Sequence, residues 1–506
     1  MTAGGATGPL GTDVAAAEGP LETRPSDASA GSNRLLVGTV FITFTIAVAN
    51  TTSGAIAQPE IADAFGAGAA DVGAIVFGYG TAFAIMTAIY GSLARRFGLG
   101  RCLTFGVLLV TAGAAVAVVA SNLAMLIAAR VVQGIGAGAI PTLSMALISR
   151  RLSGPARARA LGINVAAVGM GFAGGPLFGG ILLEAFGWRG AMALGLLVAP
   201  AAFVFPRLAP EPGDRRARLD VPGMILLAVA VGALVALVNR APLLGLGTAT
   251  AAIVAIGIGA FALLVIRSRG RAEPALPRAQ LADPVLRRAM LLGSVGQTAF
   301  FGIIILAPIV AARVHEIGGF RLGLLLLPMA ALIAVVSPRN GLLVERIGRR
   351  ATTTVSMSVV ALGAAILAWQ GPGAPVLVLE AGLVVAGAGF GFLGAPLVNE
   401  VSRRFPDAQR SVALGAYNLA FFIGSASGGA VATGFVQSGV ELEVFGGRPL
   451  AGASTGLLLL AALPLAAIAY DRLRPVVARR PAATTSDSGS DPGAADSAAT
   501  ASKIRP

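Results

Sequence analysis

Fourteen apolar segments follow one another along this 506-residue chain, and each has about the 20 residues that a helix needs to cross the hydrocarbon core of a bilayer. Hydrophobic residues make up 56% of the chain and charged residues only 12%, which is typical of a membrane protein. We therefore predict an all-α polytopic membrane protein with fourteen transmembrane helices. The segments are 35–56, 70–93, 102–120, 123–148, 160–183, 190–206, 221–239, 246–266, 289–312, 322–338, 351–370, 374–398, 411–437 and 451–470.

The distribution of basic residues tests this count, because Lys and Arg are enriched in cytoplasmic loops. With both termini in the cytoplasm, 32 of the 38 basic residues fall in cytoplasmic loops and tails, and one, Arg130, lies within a helix. Removing one helix would destroy this alternation. Removing the pair at 221–239 and 246–266 would not, so we interpret that pair as an insertion.

Two related stretches divide the chain into halves. GSLARRFGLGR at 91–101 and GLLVERIGRR at 341–350 each follow the second helix of a six-helix set, as in parallel repeats about an axis along the membrane normal. The tails carry little to bury and are predicted to be disordered. The predicted units are a cytoplasmic N-terminal tail at 1–34, a six-helix bundle at 35–206, an inserted helix pair with basic cytoplasmic loops at 207–288, a second six-helix bundle at 289–470 and a cytoplasmic C-terminal tail at 471–506.

Several function classes lack the residues that they require. The chain has one His, one Cys and one Lys, so the side-chain cluster of a polytopic membrane enzyme cannot be assembled. It has no G-x-x-x-x-G-K-[ST] loop for nucleotide phosphates. Despite a net charge of +14, the basic residues do not cluster as nucleic-acid binding requires. We expect no enzymatic activity, no cofactor, no metal and no nucleic-acid partner.

Three motifs resemble those of the major facilitator superfamily. The two related stretches resemble its G-x-L-x-D-R-x-G-R-R signature, and RVVQGIGAG at 130–138 resembles the R-x-x-Q-G signature of its fourth helix. GMGFAGGPLFGG at 169–180 is similar to the G-x-x-x-G-P-x-x-G-G signature of the antiporter members. Fourteen helices with a central insertion are similar to the fourteen-helix drug:proton antiporter branch, including Gram-positive tetracycline exporters. The resemblance covers about residues 35–470 and implies two six-helix bundles with alternating access to a midplane cleft.

The glycine-rich stretch at 169–180 permits two interpretations. Gly171, Gly175 and Gly179 fall at i, i+4 and i+8, so they form a bare stripe that a neighbouring helix can approach closely. Pro176 removes a backbone amide and is expected to bend the helix. The segment either only packs against a neighbour or, together with Gly180, acts as a hinge for alternating access, and the family resemblance favours the hinge.

Arg130 lies inside the fourth predicted helix, where a charge is costly and marks function by default. Its long side chain could instead extend to the lipid headgroups. Gln133, one turn further on, favours an inward orientation, and the resemblance implies that Arg130 faces the central cavity.

Proton coupling needs a carboxylate that can become neutral within the membrane. Glu380 is the one acidic residue clearly inside a predicted helix, unless it lies near the outer interface. The resemblance implies further acidic positions, but Asn50, Arg95 and Ser425 occupy them here, so those family positions cannot carry a proton. An uncharged, anionic or zwitterionic amphipathic substrate fits such a cavity better than a cation.

Two further sets of residues are predicted to serve transport. Polar and aromatic residues on the predicted cavity helices outline a mildly polar cleft suited to a drug-sized molecule. They are Asn50, Thr51, Tyr79, Gln133, Gln297, Phe300, Phe301, Tyr417 and Asn418. The residues predicted to gate the cytoplasmic side are Gly91, Arg95, Arg96, Gly98, Gly341, Glu345, Arg346, Gly348 and Arg349.

These features predict a monomeric secondary transporter in the plasma membrane of a high-GC bacterium. The favoured activity is proton-coupled efflux of a small amphipathic drug or antibiotic by alternating access. An uncoupled or differently coupled facilitator or importer is the main alternative. A membrane sensor or scaffold that no longer transports is a third.

Overall fold

The structure is a computed structural model that describes residues 27–210, 212–214, 216–244, 247–271, 275, 278–317, 320–369, 374–438 and 451–473. All the regular elements in these ranges are helices. The α-helices are α1 (Asp27–Ile56), α2 (Gln58–Phe65), α3 (Ala69–Phe97), α4 (Leu99–Val118), α5 (Leu123–Ala137), α6 (Ala139–Arg151), α7 (Gly154–Ala193), α8 (Ala201–Leu208), α9 (Val221–Leu244), α10 (Thr248–Arg267), α11 (Arg278–Leu281), α12 (Pro284–His315), α13 (Phe320–Val336), α14 (Asn340–Ile347), α15 (Arg349–Ala368), α16 (Val376–Arg404), α17 (Asp407–Ser438) and α18 (Ala451–Leu473).

The all-α membrane fold is confirmed, but the predicted number of fourteen spans is not. Eleven helical stretches in the described ranges are long and apolar enough to cross a bilayer. Three helical stretches are not among these eleven. The apolar part of α9 is shorter, and α17 and the part of α7 before Leu177 are not counted. The predicted helices at 160–183 and 190–206 lie partly in one helical run, α7, which is interrupted at Gly187 by a φ of 66°.

The first and last helices extend beyond the apolar segments that predicted them. α1 begins at Asp27, so residues 27–34 of the predicted disordered tail are helical. α18 continues to Leu473, past the predicted end at 470. Each added residue closes a further backbone hydrogen bond, so a helix continues beyond its apolar core. The rest of the two predicted tails, residues 1–26 and 474–506, lies outside the described residues.

Two sets of helices pack mainly with their own members. In the first set, α1 packs against α7, and α4 packs against α5; in the second, α12 packs against α17, and α15 packs against α16. The sets meet where α3 contacts α17 and where α7 contacts α13 and α16. We call the contact between α3 and α17 the seam.

The inserted helices α9 and α10 pack against both sides of the seam. Met224, Leu227 and Leu264 form a buried cluster with Ala88 of α3 and Leu419 of α17. Burying these apolar side chains holds the pair against helices of both sets. The insertion therefore bridges the two sets instead of belonging to one of them.

Asp220 ties the ends of the inserted helices together. Its carboxylate is only 1% exposed and accepts a hydrogen bond from Arg267 Nε at 2.9 Å, while Arg271 Nη1 lies 3.4 Å away. The backbone N–H groups of Gly223 and Ala275 also donate to it, at 3.2 and 3.4 Å. Burial raises the pKa of Asp220, but the hydrogen bonds and the Arg267 charge outweigh this effect and leave the pKa below its usual value.

The two related stretches contain the same backbone turn. Gly98, with a φ of 92°, follows α3, and Gly348, with a φ of 80°, follows α14. A positive φ of this kind favours glycine over residues with a Cβ. Residues 94–97 and 340–347 lie beyond the predicted helices that end at 93 and 338, and they are helical because the helices continue up to each glycine.

Candidate functional site

Three of the predicted polar residues form one buried network inside the first helix set. Arg130 of α5 has no exposed surface. Its Nη1 donates to Gln133 Oε1 at 2.7 Å, and its Nη2 donates to the backbone carbonyl of Asn50 at 2.9 Å. The Asn50 side-chain amide also donates to Gln133 Oε1, at 3.2 Å. Arg130 therefore neither extends to the headgroups nor presents surface to an open cavity in this conformation.

The contacts of the Arg130 guanidinium are with neutral groups. Its central carbon lies 4.5 Å from the centre of the Tyr79 ring, and the Tyr79 hydroxyl donates to the Ala47 carbonyl at 2.8 Å. A side chain at Gly54 would approach Arg130 Nη2 to 2.8 Å, so glycine leaves the space that the guanidinium occupies. The Gln133 amide, the Asn50 carbonyl and the Tyr79 ring stabilise this buried charge. The family resemblance implies a carboxylate at the position of Asn50 on α1.

The predicted residues of the second set are buried in its own core. Gln297 Nε2 donates to Ser425 Oγ at 2.8 Å, which joins α12 to α17. Phe300 stacks on Phe390 of α16, with ring centres 3.8 Å apart. Tyr417 is only 1% exposed. These side chains stabilise the packing of the second set, and they do not join the Arg130 network.

Asn418 and Phe301 connect the two sets. Asn418 Nδ2 donates to Thr142 Oγ1 of α6 at 3.2 Å, and that hydroxyl donates to the Thr87 carbonyl of α3 at 2.8 Å. The Phe301 ring lies 5.1 Å from the ring of Phe172 on α7. Thr51, the remaining predicted cleft residue, lies beside Tyr79 of the first group, because its Oγ1 donates at 3.4 Å to the Ala47 carbonyl that also accepts from Tyr79. The predicted cleft residues thus form three groups instead of one cluster.

Sequence reasoning missed most of the aromatic residues where the sets meet. The rings of Phe83 on α3 and Phe422 on α17 are 4.5 Å apart in an edge-to-face arrangement. Phe421 lies 5.4 Å from Phe422, and Tyr79 lies 6.1 Å from Phe83. The spacing of Phe83 could have indicated it from the sequence, because it follows Tyr79 by four residues and so shares its helix face.

The glycine stripe of α7 lies against α1. A methyl group at Gly171 would lie 2.8 Å from the Thr45 carbonyl, and one at Gly179 would lie 2.7 Å from Ser53 Cβ. One at Gly175 would lie 2.6 Å from the Ala49 carbonyl. α1 can approach α7 this closely because these three residues are glycines and have no side chain.

Gly180, another residue of the predicted hinge, is not part of that contact. A methyl group at Gly180 would meet nothing within 4 Å. Pro176 lies within the helical run of α7, and the residue with non-helical dihedral angles is Gly187. A hinge at 171–180 stays a prediction.

Glu380 lies near the end of a helix. α16 begins at Val376, so Glu380 is about 6 Å along the helix axis from that end. The side chain is half-buried and belongs to a different helix set from Arg130. This position favours the interface over the membrane interior.

Two carboxylates beyond the ends of the predicted membrane segments, Glu400 and Asp471, lie near the ends of α16 and α18 and share one arginine. Arg288 of α12 pairs with Asp471 of α18, at 2.7 Å, and with Glu400 of α16, at 3.2 Å. Arg288 is only 7% exposed. The sequence missed this cluster because α16 and α18 run past their apolar segments to a point where Arg288 compensates the carboxylate charges.

Arginines from both sets surround two cavities at one end of the molecule, which we call the Arg-rich end and define by Arg95, Arg150, Arg349, Arg403 and Arg410. Some residues predicted to gate lie here. One cavity, of about 420 Å³, is lined by Arg95, Gly98, Arg150, Asp407 and Arg410, and the other, of about 320 Å³, is lined by Arg157, Gly341, Glu345, Arg349 and Arg403.

Burial lowers the pKa of Arg157, beside the second of these cavities, and the charges of Arg410 and Arg403 lower it further. Two other residues predicted to gate have separate environments. Arg96 Nη1 donates to the Ala217 carbonyl at 2.6 Å, and Arg346 is exposed.

Hydrogen bonds join the two sets at the Arg-rich end. Ser149 Oγ and Ser402 Oγ are 3.0 Å apart, and Arg410 Nη1 donates to the Ser149 carbonyl at 3.3 Å. Ser411 Oγ donates to the Gly91 carbonyl at 3.1 Å, where a side chain at Gly91 would collide with the backbone of Ser411. The molecule is therefore closed at this end.

This arrangement of helices and motifs can be compared with known proteins. The sequence model of the Major Facilitator Superfamily matches residues 39–429. The chain belongs to this superfamily. The human organic anion transporter MFSD10 (TETRAN) shares the fold, with a TM-score of 0.62 and 16% sequence identity over 86% of this chain and 98% of that structure. Membership of a transporter superfamily points to transport instead of catalysis.

Two bacterial members of the superfamily are similar over most of their length. Multidrug resistance protein Stp of Mycobacterium tuberculosis is 31% identical over 381 residues, which cover 74% of this chain and 71% of Stp. Cephamycin export protein CmcT of Amycolatopsis lactamdurans is 29% identical over 444 residues, which cover 83% of this chain and 89% of CmcT.

Proposed function

We propose that this major facilitator protein exports small amphipathic drugs or antibiotics across the plasma membrane. The proposal is supported by the similarity to Stp and CmcT, whose names describe multidrug resistance and cephamycin export, over more than two thirds of each relative. The apolar membrane helices and the scarcity of catalytic residue types favour transport over an enzymatic role.

The observation that carries a mechanism is the closure of the Arg-rich end by Ser149, Ser402 and Ser411. Basic residues favour the cytoplasmic side, so we place the Arg-rich end and both termini in the cytoplasm. The six-helix bundles at 35–206 and 289–470 then rock against each other, and the hydrogen bonds of the Arg-rich end break when the cleft opens inward. We propose that one chain is sufficient for this cycle.

The aromatic residues where the sets meet supply a surface for the apolar part of a substrate. Phe172, Phe301 and Phe422 come from three different helices, and rings of this kind bind apolar groups with little loss of conformational freedom. The positive charge of Arg130 lies behind Tyr79 and Phe83. It disfavours a cationic substrate and favours an uncharged, zwitterionic or anionic one.

We propose that drug export is coupled to protons through a carboxylate outside the Arg130 network. Glu380 is the candidate from the sequence, and the Glu400 and Asp471 carboxylates beside Arg288 are a second one. An uncoupled carrier is the alternative, and Asn50 favours it, because the Arg130 network contacts an amide where an acidic side chain would titrate.

Expression in a bacterial strain that lacks its own drug pumps tests the export function. We expect the chain to raise the inhibitory concentration of several amphipathic antibiotics several-fold and to lower their accumulation in cells. A matched strain should express the Cys102→Ser chain with the Ser149→Cys and Ser402→Cys pair, in which we expect oxidation to lock the Arg-rich end. Unchanged accumulation of every compound, with the protein present in the membrane, would disprove drug export.

A further inference from the structure

An apolar cavity lies between the inserted helices and the second helix set. Its volume of about 640 Å³ is within the range of about 300–1,000 Å³ that ligand pockets have. Its walls come from α9, α10, α12 and α17, with Ala88 of α3 at one side, and they include Leu227, Ile253, Phe261, Met290 and Leu419. Almost no polar group is available there, so the occupant must present an apolar chain.

The cavity has the length and the position of one lipid leaflet. Along α17 it extends from Val412 to Ile423, which corresponds to about 16 Å of helix, or about half of a 30 Å hydrocarbon core. Ile258 and Phe261, on its wall, are 66% and 53% exposed, so the cavity is open on the side that faces lipid. A chain from the surrounding bilayer can therefore enter sideways.

Exposed arginines lie at the end of the cavity that is nearest the Arg-rich end. Leu281 lines the cavity and belongs to α11 together with Arg278, and Met290 lies one turn after Arg287. Arg269 follows α10, and Arg278, Arg287 and Arg269 are all exposed. Basic sites between membrane helices on this side recognise anionic lipid headgroups.

We propose that this cavity binds an anionic phospholipid, with one acyl chain between α10 and α17 and the headgroup on Arg269, Arg278 and Arg287. The apolar walls take the chain, and the arginines select a negative headgroup over a zwitterionic one. The inserted helix pair thus has a function of its own as a lipid site beside the seam. This proposal does not depend on drug export.

Native mass spectrometry of the full-length protein, purified and delipidated in detergent, tests the site. Palmitoyl-oleoyl-phosphatidylglycerol and the corresponding phosphatidylcholine are added separately, and the bound lipid is counted. We expect the protein to retain one phosphatidylglycerol in clear preference to phosphatidylcholine. Ala230→Phe, which fills the cavity from α9, should abolish this retention. Ala255→Phe on α10, at an exposed position outside the cavity, is its matched control and should keep it.

A charge variant tests the headgroup without altering the cavity. Replacing Arg269, Arg278 and Arg287 by Gln should remove the preference for phosphatidylglycerol. Replacing the exposed Arg101, Arg159 and Arg472 by Gln removes the same charge elsewhere and should preserve it. Equal retention of the two lipids by the natural chain, or unchanged retention in Ala230→Phe, would overturn the proposal. Displacement of all bound phosphatidylglycerol by an antibiotic that binds in the same cavity would also overturn the proposal, because the cavity would then be a substrate site.

Discussion

The Arg130 guanidinium lies 4.5 Å from the centre of the Tyr79 ring, and it is fully buried with neutral hydrogen-bond acceptors around it. A buried charge without an ionic partner is costly for stability, so a chain that retains one gains something else from it. In this protein the Arg130 guanidinium lies over the Tyr79 ring, and Tyr79 stacks on Phe83, which makes the aromatic contact between the helix sets. We interpret Arg130 as a fixed positive charge that shapes the cleft.

Removing the Arg130 charge should lower drug transport without lowering the stability of the protein. We expect Arg130→Met to unfold at a temperature no lower than the natural chain, because the desolvated charge is lost and the apolar stem is kept. Drug efflux should fall at least several-fold. Thermal unfolding in detergent and efflux from drug-loaded cells measure the two effects, and Arg130→Lys, which cannot reach both acceptors with a planar group, serves as comparison. A large loss of stability in Arg130→Met would show that the network is mainly structural.

The close approach of α1 and α7 gives a second prediction. Gly175→Ala should destabilise the protein by about 1–3 kcal/mol, because the new methyl group would lie 2.6 Å from the Ala49 carbonyl and the helices must separate. Gly180→Ala is the matched control, since its methyl group meets nothing within 4 Å. Thermal unfolding compares the two. Equal shifts in both variants would mean that the stripe does not limit the approach of the helices.

These glycines also show how far the sequence could predict the structure. The spacing of Gly171, Gly175 and Gly179 predicted one close contact with a neighbouring helix, because helix periodicity places such residues on one face. The spacing could not identify α1 as that neighbour, since the choice depends on the tertiary arrangement. It also could not show that the break in α7 lies at Gly187, because Pro176 is a stronger sequence signal for a bend.

The hydrogen bond between Ser149 and Ser402 predicts a reversible lock. In a chain with Cys102→Ser, the pair Ser149→Cys and Ser402→Cys should form a disulfide, because the two hydroxyl oxygens are 3.0 Å apart. Oxidation should stop efflux and reduction should restore it. Efflux from cells with and without reductant measures this, with each single cysteine variant as control. Full efflux through a completely cross-linked protein would show that the Arg-rich end does not open during transport.

The buried carboxylate of Asp220 predicts how the inserted helices respond to acid. Its folded-state pKa is lowered below the ordinary 3.8, so its contribution to stability is complete above that value and is lost as pH falls through the folded-state pKa. Asp220→Asn should weaken the anchor by about 1–3 kcal/mol at neutral pH and make α9 and α10 insensitive to acid.

Hydrogen exchange of 221–237 and 248–267, corrected for the intrinsic rate at each pH, measures this response. Asp63→Asn removes an exposed carboxylate on α2 and should change nothing. Identical exchange in the natural chain and in Asp220→Asn would mean that packing alone holds the inserted pair.

The candidate site was predictable only where its residues are neighbours in sequence. Arg130 and Gln133 are one helical turn apart, and their hydrogen bond follows from that spacing. Asn50 and Tyr79 join them from other helices, and no local pattern specifies such contacts. The Arg288 cluster with Glu400 and Asp471 was missed because α16 and α18 continue beyond the apolar segments that hydropathy detects.

Proton movement during drug transport tests the central claim most directly. Everted membrane vesicles that contain the protein are acidified inside by respiration, and a pH-sensitive dye follows the lumen while amphipathic antibiotics are added. The account predicts that each transported antibiotic releases protons from the lumen and that Glu380→Gln, or a variant of the Glu400 and Asp471 pair, abolishes this release. Antibiotic uptake that continues unchanged after an ionophore collapses the proton gradient would contradict proton-coupled efflux and identify an uncoupled carrier.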